Sequence, residues 1–135
     1  MHDHYGMTPK FEEIRRDPYL FTKLVEFRTK FQNEENTELN DALLEGDGAD
    51  DVVDALIDMC VVAIGSLHAY GVDAQVAWDR VLRANMSKAL GIKPNRPNPL
   101  GLPDLMKPEG WTAPSHLDNL GAIPSAFPFK SPCDV

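Results

Sequence analysis

Apolar residues return at helical intervals through the first long stretch of this 135-residue chain. Leu20, Leu24, Phe27, Phe31, Leu39, Ala42 and Leu43 follow one another mostly at steps of three or four, the period that puts side chains on one face of an α-helix. Gly46 ends the pattern, as glycine does just past a helix C-terminus. A second helix starts near Asp47 to Asp50, whose carboxylates suit an N-cap and the positive end of the dipole. It runs through "DVVDALIDMCVVAIGSLHAY" to a stop at Gly71. Asp73 is placed to cap a third helix, "AQVAWDRVLRANMSKAL", with Val76, Val81, Leu82 and Met86 facing the core and Gly91 closing it. Helices with links this short read as an all-α bundle: an antiparallel hairpin plus a third helix.

The flanks carry less pattern. Residues 1–18 hold Pro9, Pro18 and a weak helical patch at "FEEIRR", and read as an arm or short helix before a domain at 19–92. Nine of the 11 prolines fall in the last 43 residues, so 93–135 reads as an irregular extension that packs on the bundle or a neighbouring subunit, with one helical turn at "SHLDNL". No internal repeat, strand alternation or Gly-rich phosphate loop stands out.

A chain this long is about one domain and buries roughly two-thirds of its unfolded surface. A net charge of −8 and a pI near 4.8 leave no basic face to displace counterions, which argues against a nucleic-acid polymer as partner. Any anionic substrate then needs help from a cation. Cys60 and Cys133 form neither a disulfide framework nor a metal-ligand spacing, so a reducing, cytoplasmic setting is expected. The longest uninterrupted apolar run, "MCVVAIGSL", is about nine residues against the roughly 18 of a membrane span. No membrane partner is expected, and the acidic start "MHDHYGM" does not resemble an export signal.

The chemistry concentrates where the basic residues stop. Between Lys30 and Arg80 there is no lysine or arginine, yet 12 acidic residues. Asp41, Glu45, Asp47, Asp50 and Asp79 read as solvated helix faces. Asp54 and Asp58 differ, because their neighbours are almost all apolar and a helix that apolar is expected to be mostly buried. Spaced by four, they project from one side, and a buried carboxylate is costly unless it is paired or binds a metal. Glu35 and Glu38, spaced by three on the preceding helix, offer a matching pair. Four convergent carboxylates suggest divalent cations, and oxygen-only ligands favour Mg²⁺ with Mn²⁺ as substitute. A di-iron bundle would need Glu-x-x-His pairs, whereas the residues three after Glu34, Glu35 and Glu38 are Thr37, Glu38 and Asp41.

On the third helix, "ANMSK" sets Asn85 and Lys88 three apart on one face, where an amide and an ammonium can hold phosphate oxygens, or simply form a polar surface. His68 reads as a polar helix-end residue, and His2 and His4 as part of a mobile terminus. Trp78 reads as packing. Trp111, in "KPEGW", either covers the core or stacks on a base.

These residues resemble the all-α nucleoside triphosphate pyrophosphohydrolases, the MazG-like group that includes phosphoribosyl-ATP pyrophosphohydrolases and dimeric dUTPases. The resemblance spans roughly 20–92 and rests on "EENTE" (the group's E-E-x-x-E), "DVVDALID" and "NMSK" in that order; the "KPEGWTAPSHLDNL" tail is similar to small, stand-alone phage-type members. It implies that Glu35 and Glu38 are Mg²⁺ ligands and that Glu34 orients water beside them. The group's second motif is usually E-x-x-D, whereas this chain has Asp51, Asp54 and Asp58 without a glutamate. The apolar run after Asp58 favours Asp54 with Asp58; Asp51 with Asp54 stays open.

The implied reaction cleaves a nucleoside triphosphate to the monophosphate and pyrophosphate by water attack at the α-phosphorus, with Glu34 or Glu35 as base and Asn85 and Lys88 orienting the phosphates. Phe31 or Trp111 would meet the base, and a purine deoxynucleotide, dGTP first, is the expected substrate. Such proteins assemble as dimers or dimers of dimers, which leads us to expect a homo-oligomer. The competing expectation is a non-catalytic acidic module that binds a divalent cation or a basic protein.

Overall fold

The computed structural model describes residues 1–45 and 48–126. The expected stop at Gly46 and cap at Asp47 lie outside the described residues, as does Cys133. The elements are α1 (Thr8–Arg15), α2 (Pro18–Glu45), α3 (Ala49–Ala69), α4 (Ala74–Met86), β1 (Ala89–Gly91), β2 (Asp104–Met106) and a 3-10 turn at Ile123–Ser125. Among the described residues the fold is all-α but for one short two-stranded ribbon. It divides into two compact units, Met1–Ala74 with the segment from Asn119, and Gln75–Asp118.

In the first unit α2 and α3 form an antiparallel hairpin. The buried residues of α2 are Phe21, Arg28 and Glu35, and those of α3 are Ala55, Val62, Gly65 and Ala69. Each helix thus buries a seven-residue repeat, the seam along which two helices stay in contact over several turns. Large side chains on α2 meet small ones on α3. Phe21 is fully buried, a burial that stabilises by about 1.5–3 kcal/mol. The direction of the hairpin follows from its bonds, since Arg28 Nη2 donates to the Val62 carbonyl and Gln32 Nε2 to that of Met59.

Local chemistry sets the helix ends. Asp17 Oδ1 accepts from the backbone N–H of Tyr19 and Leu20, and Pro18 occupies the first helical position, which starts α2. At the other end of the hairpin, Val72 N–H donates to the Leu67 carbonyl and Gly71 N–H to that of His68, with Gly71 at φ +79°. This is a Schellman cap, and the Gly71 stop is where the sequence places it. The returning segment 119–126 closes on this end: the Asn119 side chain bonds both backbone groups of Asp73, and Ala122 N–H donates to the Tyr70 carbonyl.

Several expectations are corrected. The N-terminal segment is ordered against the hairpin: α1 buries Phe11, Arg15 Nη1 donates to the Ala69 carbonyl, and His2 is buried rather than part of a mobile terminus. The helix α3 is not mostly buried. Val53, Ile57 and Ile64 are each more than half exposed, because α2 covers one seam and leaves the other side open. At a mean hydropathy of 1.8, α3 is also long and apolar enough to cross a membrane by length and composition; the count of consecutive apolar residues missed this because Asp54 and Asp58 interrupt the run.

The second unit departs further. The last helix ends at Met86 rather than near Leu90, since 89–91 pair as β1 with β2 in the register Ala89↔Met106, Leu90↔Leu105, Gly91↔Asp104. Gly91 is a strand residue, and a Cβ there would come within 2.5 Å of Met106 Cγ. No residue of α4 is buried; Val76, Val81, Leu82, Met86 and Trp78 are exposed, so the expected core stripe meets no covering surface. "SHLDNL" makes a turn and no helix.

Candidate functional site

The acidic residues of the first unit gather in a groove along the hairpin near its connection. Glu38, Asp41 and Glu45 from α2 and Asp51, Asp54 and Asp58 from α3 line it, with Ala42 and Ala55. Both carboxylate rows step by three and then four, the spacing that keeps side chains on one helix face. The antiparallel hairpin lays the two rows along the same groove. Asp41 and Glu45 are exposed, as expected from the sequence, and also line the groove; their matching 3-4 spacing was the available signal for the second point.

Burial falls on a different residue from the one expected. Asp54 and Asp58 are exposed, because the groove opens outward beside the uncovered side of α3, so their cost of burial does not call for a partner. Glu35 is the buried carboxylate, at 7% exposure. It occupies the seam position two turns after Arg28, and its carboxyl is pushed above its ordinary value by desolvation first and then by the charges of Glu38, Asp58 and Glu34. The charges of Glu38 and Asp58 thus bear on Glu35, and that of Glu34, itself exposed, adds to them. Of the four expected metal ligands, Glu38, Asp54 and Asp58 line the groove, and Glu35 lies one turn before Glu38 on α2.

The donors are oxygen atoms only, which fits a hard divalent cation, and a site whose own charges oppose ionisation of Glu35 is one that a cation relieves. Among the described residues, however, no three His, Cys, Asp or Glu side chains stand close enough to hold a metal ion as placed. The groove supplies the charge and the ligand type, without a finished coordination shell.

Arg28 is the basic residue that sequence reasoning passed over. It is buried on the seam, where Nη2 donates to the Val62 carbonyl at 2.8 Å and Nε to Ser66 Oγ at 3.0 Å. Its guanidinium also lies 5.4 Å from the centre of the Phe31 ring, which engages one face of the residue expected to meet the base. Phe27, 6.4 Å from Phe31 between ring centres, is exposed.

The expected phosphate contacts lie in the second unit. Asn85 is on the last turn of α4, and Lys88, just beyond it, donates from Nζ to Asn85 Oδ1 at 2.9 Å. Trp111 donates from Nε1 to the Ala84 carbonyl at 2.9 Å, which fixes it on the end of α4.

The family model of phosphoribosyl-ATP pyrophosphohydrolase matches residues 8–85, a span that holds both carboxylate rows, Glu34 and Glu35. No curated protein and no solved structure matches the chain.

Proposed function

The chain belongs to the phosphoribosyl-ATP pyrophosphohydrolase family, and we propose that it is a divalent-cation-dependent enzyme that splits a nucleoside triphosphate into the monophosphate and pyrophosphate. The observation that carries this reading is the pair of carboxylate rows along one groove of the hairpin, with the buried carboxyl of Glu35 one turn before Glu38.

In the proposed reaction a water attacks the α-phosphorus while the bond to the α,β-bridging oxygen breaks, and pyrophosphate leaves with the electron pair. The water's proton passes to Glu35, or to Glu34 beside it. A positioned base of this type contributes about 10² to 10⁴ in rate. Glu35, Glu38, Asp54 and Asp58 would hold Mg²⁺ or Mn²⁺, with Asp51 the alternative on α3; when bound, the ion supplies the positive charge that an acidic groove needs to accept a triphosphate. Phe31, beside Arg28 on the seam, is the proposed base contact in this unit. A purine deoxynucleotide, dGTP first, is the proposed substrate, and the phosphoribosyl-ATP of the family name belongs in the same panel.

The outer face of α3 supports assembly with a second copy. Val53, Ile57, Val61 and Ile64 recur at steps of four, four and three and are exposed in the single chain, so a homodimer or a dimer of dimers would cover them.

The test is incubation with each nucleoside and deoxynucleoside triphosphate and phosphoribosyl-ATP in Mg²⁺ or Mn²⁺, followed by separation of products. Monophosphate with pyrophosphate from at least one compound is expected. Cation binding without turnover of any compound overturns the hydrolase reading and leaves the non-catalytic acidic module.

A further inference from the structure

The ribbon in the second unit brings together two lysines that are far apart in sequence. Antiparallel pairing of Ala89 with Met106 puts Lys88 and Lys107, the next residues outward, opposite each other at the open end of the ribbon. Like charges directly across a pair of strands are destabilising, and among the described residues neither ammonium has a carboxylate within ion-pair distance. Trp111 holds them instead: Lys88 Nζ lies 5.4 Å and Lys107 Nζ 4.9 Å from the centre of its ring. Attraction of each ammonium to the ring face offsets part of that repulsion. The Asn85 carbonyl oxygen accepts from Lys88, which leaves the donor end of that amide without a protein partner among the described residues.

The local charge balance points the same way. Residues 75–118 hold six of the chain's 13 lysines and arginines but only four of its 21 acidic residues. Arg80 is paired with Asp118 and Arg96 with Asp104; of the four basic residues without an ion pair among the described residues, Lys88 and Lys107 are the two that share the Trp111 ring.

We propose that Lys107 joins the expected phosphate contacts Asn85 and Lys88 around Trp111, completing a binding cradle for the oxyanions of a polyphosphate chain. The indole is the floor on which the two ammonium groups are held, rather than a platform for a base. The choice of a polyphosphate as the anion rests on the hydrolase reading; the cradle itself rests on the ribbon register.

The experiment titrates the full chain with inorganic tripolyphosphate in EDTA and follows the indole N–H resonances by NMR. Loss of one resonance in Trp111→Phe assigns it, and Trp78 serves as the internal control. A saturable shift of the Trp111 resonance is expected, weakened about tenfold in Lys107→Gln and in Lys88→Gln, as loss of one charge-assisted contact implies, and retained in Lys107→Arg. No saturable shift, or unchanged affinity in Lys107→Gln, overturns the cradle. Because EDTA removes the divalent ion, tripolyphosphate binding without turnover of any nucleotide in Mg²⁺ would overturn the hydrolase reading alone. Turnover with tripolyphosphate affinity indifferent to Lys107 would overturn the cradle alone.

Discussion

Arg28 and Val62 face each other across the hairpin seam, the guanidinium Nη2 donating to a helical backbone carbonyl at 2.8 Å. A second bond to Ser66 Oγ completes a buried cation held by neutral oxygens, and burial works against its charge. Gly65 makes the space, since a Cβ there would come within 2.8 Å of Arg28 Nη2 and 3.3 Å of His2 Cε1. Arg28→Ala should cost about 2–4 kcal/mol through the cavity and lost bonds. Arg28→Met, which keeps the length, should cost about 1.5 kcal/mol or less. Gly65→Ala should cost about 1–3 kcal/mol by displacing the guanidinium. Urea unfolding of the three variants measures the order, and equal losses for Ala and Met would deny Arg28 its packing role.

Glu35 makes the metal-free protein less stable as pH rises. Its carboxyl binds its proton more tightly folded than unfolded, so the folded state carries more protons between the ordinary glutamate value and the raised one, and stability falls with rising pH across that window. Above the window the penalty is complete. Glu35→Gln should therefore raise the melting temperature at neutral pH by a few degrees in EDTA, flatten that part of the pH profile, and abolish turnover. Glu38→Gln should also abolish turnover while leaving the helical circular dichroism intact. Retained activity in either variant would move the site elsewhere.

The carboxylates of α3 can be sorted by the same assay. Asp54→Asn and Asp58→Asn should each lower turnover by at least about tenfold, with partial recovery at higher Mn²⁺ if a ligand oxygen is weakened. Asp51→Asn should have a smaller effect. The reverse order would assign Asp51 with Asp54.

His2 docks the N-terminal segment onto α3. Its Nδ1 lies 2.8 Å from His68 Nδ1 with the rings stacked, and its ring meets Phe11 edge-on. Desolvation, then the charges of His68 and Arg28, lower its pKa from 6.5. The unfolded chain thus takes up the proton first, and the contribution of this contact is full above that value and lost as pH falls through it towards the lowered one. Hydrogen exchange at Met7 N–H, which donates to the His2 carbonyl, should accelerate over that interval in wild type. It should show no such pH step in His2→Gln; a step that persists there would place the titration in another group.

The uncovered face of α3 makes a prediction about assembly. Ile57→Glu puts a charge at the middle of that face without touching the seam. The wild-type chain should sediment as a homo-oligomer and the variant as a monomer of unchanged helicity. A monomeric wild type would remove the proposed interface, and association of the wild type with lipid vesicles would assign the face to a membrane instead.

The helices of the hairpin were legible because period and punctuation agree: apolar steps of three and four, Gly71 at a Schellman cap and an aspartate just before Ala74. The pairs Glu35 with Glu38 and Asp54 with Asp58 were legible for the same reason, as fixed offsets on two helices, whereas the groove positions of Asp41 and Glu45 were not read. Burial was less so. An apolar stripe says which residues prefer cover and nothing about how many surfaces are there to provide it, so α3 and α4 were expected inside and stand exposed in the single chain. The seam residues Phe21, Arg28 and Glu35 keep a strict seven-residue spacing that was readable in principle, but an arginine and a glutamate at two of its positions hid it from a hydrophobic pattern.

The sequence by itself determined that the chain is helical, where α2 and α3 run and that their acidic faces match, since those follow from local spacing and caps. Only the tertiary structure decided that Glu35 rather than Asp54 or Asp58 is the desolvated carboxylate, and that Lys107 stands beside Lys88. Burial depends on which side of a helix its partner covers, and strand register joins residues 19 positions apart; neither is set by neighbours along the chain.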